Sequence, residues 1–244
     1  MLTLQKRVAV VTGGSSGIGA ACMELLEKEG VKAVSWDIAG KNGPRCDVSD
    51  PKSVGAAMEW TLKNVGSPSL LVASAGMPTG GPLIDMIPEE WDRTFAVNTR
   101  GVMLALQAVA RTTRDAKSDG SMVLVSSVNG YIADPGVGAY GASKAAVFHL
   151  ARIAARELGP SGIRVNAVGP GPTETPMLKS LLDNATFRDE VIRRTALREV
   201  GTPERVAEAI VGLMKLDWIT GQAIMVDGGS SLNTGRSHWQ APQL

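Results

Sequence analysis

Tyr140 and Lys144 stand four residues apart in Tyr140-Gly141-Ala142-Ser143-Lys144. That spacing puts both side chains on one face if the segment is helical, as Ala142, Ala145 and Ala146 favour. A phenol with a pKa of roughly 10 is a poor base at neutral pH unless a neighbouring cation stabilises its phenolate. An ammonium one helical turn away supplies that charge, so the pair suits proton transfer. The same spacing also describes a half-buried ring beside a solvated ammonium, and the surrounding elements must decide between the two.

The strongest of these is a glycine turn, Thr12-Gly13-Gly14-Ser15-Ser16-Gly17-Ile18-Gly19, between an apolar run at 8–11 and a helical pattern in Ile18, Ala21, Cys22, Leu25 and Leu26. Glycines there let the backbone approach a pyrophosphate, and free N–H groups of the helix start can bind it. Gly13, Ser15, Ser16, Gly17, Ile18 and Gly19 are therefore candidate cofactor ligands. No Gly-Lys-Ser/Thr follows, which disfavours a P-loop nucleotidase. A second apolar run ends in Asp37, eighteen residues past Gly19, placed to accept from ribose hydroxyls and to repel a 2′-phosphate. NAD is expected over NADP.

The 244 residues carry 25 Lys plus Arg against 24 Asp plus Glu, a net charge of +1. Such a balance leaves no electrostatic footprint for nucleic acid or an anionic membrane, and a small-molecule substrate is expected. The N-terminal apolar stretch is too short for a signal peptide or a membrane span, so a cytoplasmic location is expected. Cys22 and Cys46 have no metal-ligand spacing and read as reduced thiols, with no metal site. Apolar runs at 8–11, 33–36, 70–73, 122–125, 163–168 and 223–226 read as buried parallel strands, and helical periods alternate with them. The expected fold is a Rossmann-like, doubly wound α/β sheet with helices on both faces. It forms one domain over 1–229 with a tail at 230–244. Asp50-Pro51 and Thr202-Pro203 read as helix starts, and 89–116 as one long helix.

The glycine spacing together with Tyr140 and Lys144 resembles the short-chain dehydrogenase/reductase family, over about 7–229. The resemblance implies an NAD(P)-dependent oxidoreductase acting on CH–OH groups, with Tyr140 as acid/base and Lys144 also holding the nicotinamide ribose. Asp47 and Val48 would lie against the adenine. Ala73-Ser74-Ala75-Gly76 stands where the family has Asn-Asn-Ala-Gly, leaving Ala75 and Gly76 as the surviving turn. Asn98 looks like the helix asparagine that holds a water on the proton path from the lysine. Ser127, thirteen residues before Tyr140, looks like the catalytic serine, with Ser126 out of register. Pro170, Gly171, Thr173 and Thr175 resemble the segment that grips the nicotinamide carboxamide.

Ser127, Asn129 and Tyr140 would meet the substrate, with Met77, Tyr131, Val137 and a lid over 177–195 around them. Only nine residues separate Asp37 from Asp47, so a loop replaces the usual helix there. That shortening is similar to NAD-dependent members acting on dihydrodiols or hydroxysteroids, and a hydrophobic or cyclic secondary alcohol or ketone is expected. The alternative is a 3-oxoacyl-thioester (acyl-carrier-protein) reductase using NADP. Family resemblance also implies a homotetramer packed through 89–116 and 138–158. Two remote alternatives are a serine hydrolase, from the G-x-S-x-G pattern around Ser15 with His238, and a cofactor sensor without turnover.

Overall fold

The computed structural model describes residues 3–232. The expected tail, including His238, lies outside these apart from Ser230–Leu232, a short 3₁₀ turn. Among the described residues, six parallel strands form one sheet in the order β2-β1-β3-β4-β5-β6. They are β1 (Val8–Thr12), β2 (Lys32–Trp36), β3 (Leu70–Ala73), β4 (Gly120–Val125), β5 (Ile163–Pro170) and β6 (Ala223–Val226). β1, β3 and β4 are buried along their whole length, which is why they read as continuous apolar runs rather than alternating ones.

Neighbouring residues on each strand face opposite layers. Val10, Leu71, Met122 and Leu124 pack against α2 (Pro51–Asn64), α4 (Val102–Asp115) and α5 (Gly138–Leu158). Val11, Val72, Val123 and Val125 pack against α1 (Gly17–Lys28) and α8 (Pro203–Lys215). The chain is thus a Rossmann-like α/β fold with helices on both faces. The helix starts at Asp50 and Thr202 form as read, each side chain accepting backbone N–H bonds with proline at the first helical position.

One local expectation needs correction. The segment 89–116 is not one α-helix: α3 (Pro88–Phe95) and α4 are joined by a π-helical turn, Ala96–Gly101, that carries the buried Asn98. Inserting a π turn re-aims one side chain without ending the helix, and apolar periodicity does not register it. The segment 177–195, expected as a lid, forms two helices, α6 (Pro176–Leu182) and α7 (Ala185–Arg194), with Asn184 capping the second. Leu182 packs with Val191 and Val200 in a small separate core, whereas Met177 and Leu181 are exposed.

The connector after β2 is a loop, as expected. It folds back on the sheet edge: Ser35 N–H donates to Asn42 O and Cys46 N–H to Asp37 O, both at 2.9 Å. Pairing is reduced to one bridge between Asp37 and Arg45. This covers backbone groups that an edge strand would otherwise present to other chains. Among the described residues no helix is long and apolar enough to cross a membrane.

Candidate active site

β1 is flanked by β2 on one side and β3 on the other, so the crevice beyond its C-terminus is the topological switch point of the sheet. The glycine turn fills that point. Gly13 adopts φ 69°, and a Cβ there would sit 2.9 Å from Ala75 Cα. At Gly19 a Cβ would lie 2.2 Å from Gly13 O. Only glycine permits this closeness, and it leaves the start of α1 open to a ligand. No side chain caps α1 and no acidic residue occupies its first turn, so its N–H groups and positive dipole end are available to an anion.

The Ser15 hydroxyl is buried without a hydrogen-bond partner among the described residues. An orphaned hydroxyl in an uncapped glycine cradle fits a dinucleotide diphosphate. On the adenosine side, the Asp37 carboxylate accepts from Ser15 N–H at 3.2 Å and from Ala39 N–H at 2.8 Å. Asp47 accepts from the Ser49 N–H and hydroxyl, and these bonds hold its carboxyl below its ordinary value. Val48 is buried, under Gly101.

The turn that lacks the two asparagines is held by other groups. Ser74 Oγ donates to Thr12 O at 2.5 Å, and Ala75 N–H donates to Thr12 Oγ1 at 3.0 Å. On the opposite rim, Gly171 N–H donates to Val226 O at 3.0 Å, continuing from Pro170 at the end of β5. The Thr173 hydroxyl donates to Gly171 O at 2.8 Å. Thr175 Cγ2 lies 3.3 Å from where a Gly17 Cβ would be, so this rim reaches across to the glycine turn.

Tyr140 and Lys144 lie in the first turns of α5, and Lys144 Nζ is 5.8 Å from the centre of the Tyr140 ring. Lys144 is 3% exposed, and its Nζ donates to Val125 O at 3.0 Å. Burial pushes its pKa down to about 8. Burial also raises the Tyr140 phenol above its ordinary value, and the Ser127 hydroxyl partly offsets this. Ser126 instead bonds Lys144 O at 2.7 Å, so Ser127 is the serine facing Tyr140.

Asn98 makes three hydrogen bonds. Its Oδ1 accepts from Met77 N–H at 2.8 Å, and its Nδ2 donates to Met77 O at 3.0 Å and to Ser143 Oγ at 3.1 Å. A Cβ on Gly76 would stand 3.3 Å from both Asn98 Oδ1 and Lys144 Nζ, so the glycine keeps space beside the ammonium. Asn129 touches Ser127 and donates to Asp134 Oδ2 at 2.8 Å. Tyr131 is exposed and Val137 partly buried at the mouth. Sequence reasoning missed Thr12, Ser74, Asp134 and Ser143. Each acts by a contact distant in sequence or across a turn, and none carries a spacing signal.

Residues 13–231 match the family described as enoyl-(acyl carrier protein) reductase. A 3-oxoacyl-(acyl-carrier-protein) reductase of Thermotoga maritima is 35% identical, the alignment covering 93% of this chain and 99% of that one. Two solved structures are similar. An aldohexose dehydrogenase of Thermoplasma acidophilum has a TM-score of 0.88 at 31% identity, covering 98% of both chains. A gluconate 5-dehydrogenase of Burkholderia cenocepacia, in complex with NADP and tartrate, has a TM-score of 0.87 at 29% identity, covering 94% of this chain and 96% of that one. A tyrosine and a buried lysine on one helix face, beside a glycine cradle at the switch point, are thus found in a chain that belongs to the short-chain dehydrogenase/reductase family, oxidoreductases that act on CH–OH groups with nicotinamide cofactors.

Proposed function

We propose that the protein interconverts a secondary alcohol and its ketone using NAD, with Tyr140 moving the proton. The observation that carries this reading is the placement of Tyr140, Lys144 and Ser127 together at the open end of the sheet. The nicotinamide, when bound, exchanges the hydride with the substrate carbon. Gly13, Ser15, Ser16, Gly17, Ile18 and Gly19 would hold the diphosphate. Asp37, Asp47 and Val48 would hold the adenosine end, and Ala75, Gly76, Asn98, Pro170, Gly171, Thr173 and Thr175 would border the nicotinamide end. Ser127 directs its hydroxyl at the substrate oxygen.

The raised Tyr140 pKa keeps the phenol protonated at neutral pH, ready to donate to a ketone. In the oxidising direction the phenolate must form, and the Lys144 ammonium, retained below pH of about 8, stabilises it. Reduction thus uses the protonated phenol present at neutral pH, whereas oxidation depends on the Lys144 ammonium and loses that support above pH of about 8.

The NAD assignment rests on Asp37, whose carboxylate leans on the glycine turn at Ser15, where it would repel a 2′-phosphate. The second reading is an NADP-linked 3-oxoacyl-thioester reductase, favoured by the Thermotoga relative and by the NADP in the Burkholderia structure. A carrier-bound substrate calls for an open basic entrance. The lid arginines are instead engaged: Arg188 with Glu174, Arg193 with Glu190, Arg194 with Glu190 and Asp134, and Arg198 with the backbone of Arg193. A small uncharged substrate with a hydrophobic or cyclic body suits such a rim better.

The catalytic unit is assigned to 1–229, with 230–244 as a tail. Two buried thiols, Cys22 and Cys46, suit the reducing cytoplasm. Exposed apolar residues, among them Trp91 and Ile153 on α3 and α5, support a homotetramer. Fluorescence titration with NADH and NADPH, followed by an absorbance screen of secondary alcohols, cyclic diols, hydroxysteroids and ketoacyl thioesters, tests the reading. Tighter NADH binding with turnover of a cyclic alcohol is expected. NADPH preference with thioester reduction would replace it by the second reading.

A further inference from the structure

The Asn129 amide touches the serine assigned to the substrate oxygen, yet the proton transfer gives it no task. Its backbone N–H donates to Ser127 Oγ at 3.2 Å, and its side-chain Nδ2 donates to Asp134 Oδ2 at 2.8 Å. A carboxylate only accepts, so only the amino end of the amide can face Asp134. That fixes the flip: the carbonyl end, Oδ1, is turned to Ser127, 3.5 Å from Oγ.

This distance is at the outer limit for a hydroxyl bond, whose ordinary length is about 2.8 Å. An amide oxygen has two lone pairs, and no closer donor reaches Oδ1 among the described residues. The segment around Asp134 is tied on two sides. Arg194 Nη1 lies 3.9 Å from Asp134 Oδ1 on the lid side. On the other wall of the cleft, Gly81 N–H donates to Gly136 O at 2.8 Å. A half-buried acceptor with unspent capacity, locked in orientation beside the reacting serine, is suited to recognise a donor on the substrate.

We propose that Asn129 determines specificity by accepting a hydrogen bond from a hydroxyl on the carbon adjacent to the reacting one. The favoured substrates are secondary alcohols with a neighbouring hydroxyl, and in reverse the corresponding α-hydroxyketones. Two protein oxygens 3.5 Å apart then address two oxygens on adjacent carbons. In the oxidation, the reacting carbon gives its hydride to NAD and its hydroxyl proton to the Tyr140 phenolate. The neighbouring hydroxyl keeps all its atoms. Asp134 is a positioning residue; because the Asn129 oxygen only accepts, a carboxylate at the adjacent carbon finds no donor there, so 2-hydroxy acids are poor substrates.

The inference rests on the reading that Tyr140 moves the proton of a secondary alcohol whose oxygen Ser127 holds, and one experiment separates the two. Initial rates with NAD and with NADP are measured for cyclohexanol, cis- and trans-cyclohexane-1,2-diol and a 2-hydroxy acid, on wild type and on Asn129→Leu, Asp134→Ala and Asp134→Glu. NADH fluorescence confirms that each variant still binds cofactor. The expected kcat/KM for the better diol exceeds that for cyclohexanol by about 10-fold or more in wild type, the scale of one neutral hydrogen bond made or lost. The ratio falls toward one in Asn129→Leu, falls partway in Asp134→Ala and is kept in Asp134→Glu. A merely structural role for Asp134 would lower both rates and leave the ratio unchanged. Equal kcat/KM for diol and cyclohexanol in wild type, or a ratio that survives Asn129→Leu, overturns the inference while the alcohol dehydrogenase reading stands. No turnover of any alcohol with either cofactor overturns both. The wild-type comparison decides the matter even if a variant does not fold.

Discussion

The glycine-turn rim of the crevice and the lid rim are held in opposite ways. At the glycine turn, backbone presses on backbone: a Cβ on Gly19 would overlap Gly13 O, and one on Gly13 would press on Ala75. At the lid, arginines of α7 pair with Glu190 on the same helix and with Glu174 just before α6, beside a small core of Leu182, Val191 and Val200. The first rim leaves no freedom to a side chain, as suits a cofactor whose diphosphate is the same whatever the substrate. The second depends on contacts that salt and water weaken, and suits a surface that closes over a variable ligand. The chemistry we propose sits between them, on the rigid side, where Lys144 is buried against β4.

If that division is correct, the greatest sensitivity lies at Tyr140. Tyr140→Phe should lower kcat by about 10²- to 10⁴-fold, the usual contribution of a positioned acid/base. Titration should find NADH affinity within a few-fold of wild type, because the cradle is intact. Near-wild-type turnover would remove Tyr140 from the reaction and with it the division itself.

Lys144 ranks next, and here activity and stability part. Its pKa falls from an ordinary 10.5 to about 8 because burial disfavours the ammonium. Below pH of about 8 both folded and unfolded chains hold the proton, so the cost of burying the charge is present in full. Between about 8 and 10.5 the unfolded chain binds more protons, and stability rises with pH by about 3 kcal/mol from this group. Cys22 and Cys46, raised to about 12 and about 11, act with the opposite sign above their ordinary 9.0. They are common to both proteins and cancel in a comparison. Lys144→Met should therefore lose turnover, gain stability relative to wild type at pH 7, and give up that gain by pH 10.5. Denaturant titrations at a series of pH values test this, and a pH-independent difference would count against a buried ammonium.

Asp37 tests the adenosine end of the rigid rim. Asp37→Ala removes the acceptor for Ser15 and Ala39 N–H and the charge that would face a 2′-phosphate. A hydrogen bond to a charged group is worth about 1.5–3 kcal/mol, so kcat/KM for NAD should fall by roughly 10- to 100-fold, while that for NADP holds or rises. An unchanged cofactor ratio, read from the two sets of initial rates, would assign selection to another residue.

The same division explains what could be read from the chain without coordinates. The strand runs, the caps at Asp50 and Thr202, the glycine turn and the Tyr140–Lys144 pair all rest on short-range rules: period, capping chemistry and one helical turn. The loop after Asp37 was legible because nine residues cannot hold a helix and its turns. The π turn at Asn98 was not, because it changes hydrogen-bond register without changing the apolar pattern. Thr12 and Ser74 replace the expected asparagines through contacts more than sixty residues apart in sequence. Asp134 governs the Asn129 flip from a loop whose course no periodicity predicts.

Arg188 on the lid supplies the smallest expected effect and the sharpest test of the contrast. Its partner is Glu174, and both side chains are 43% exposed. An exposed pair gains little from Coulomb attraction in water and spends side-chain entropy to form. Arg188→Ala should therefore change stability by no more than about 1 kcal/mol and barely alter kcat/KM for an uncharged alcohol. A carrier or coenzyme phosphate recruited by the lid arginines would behave differently: its kcat/KM would fall on Arg188→Ala, and the fall would shrink as salt is raised. Rates for an alcohol and for a ketoacyl thioester, each at low and high ionic strength, distinguish a lid that only covers the site from one that selects by charge. With Arg188, Arg193 and Arg194 already engaged by carboxylates, the covering role is the expected outcome, and selection falls to the fixed polar atoms beneath.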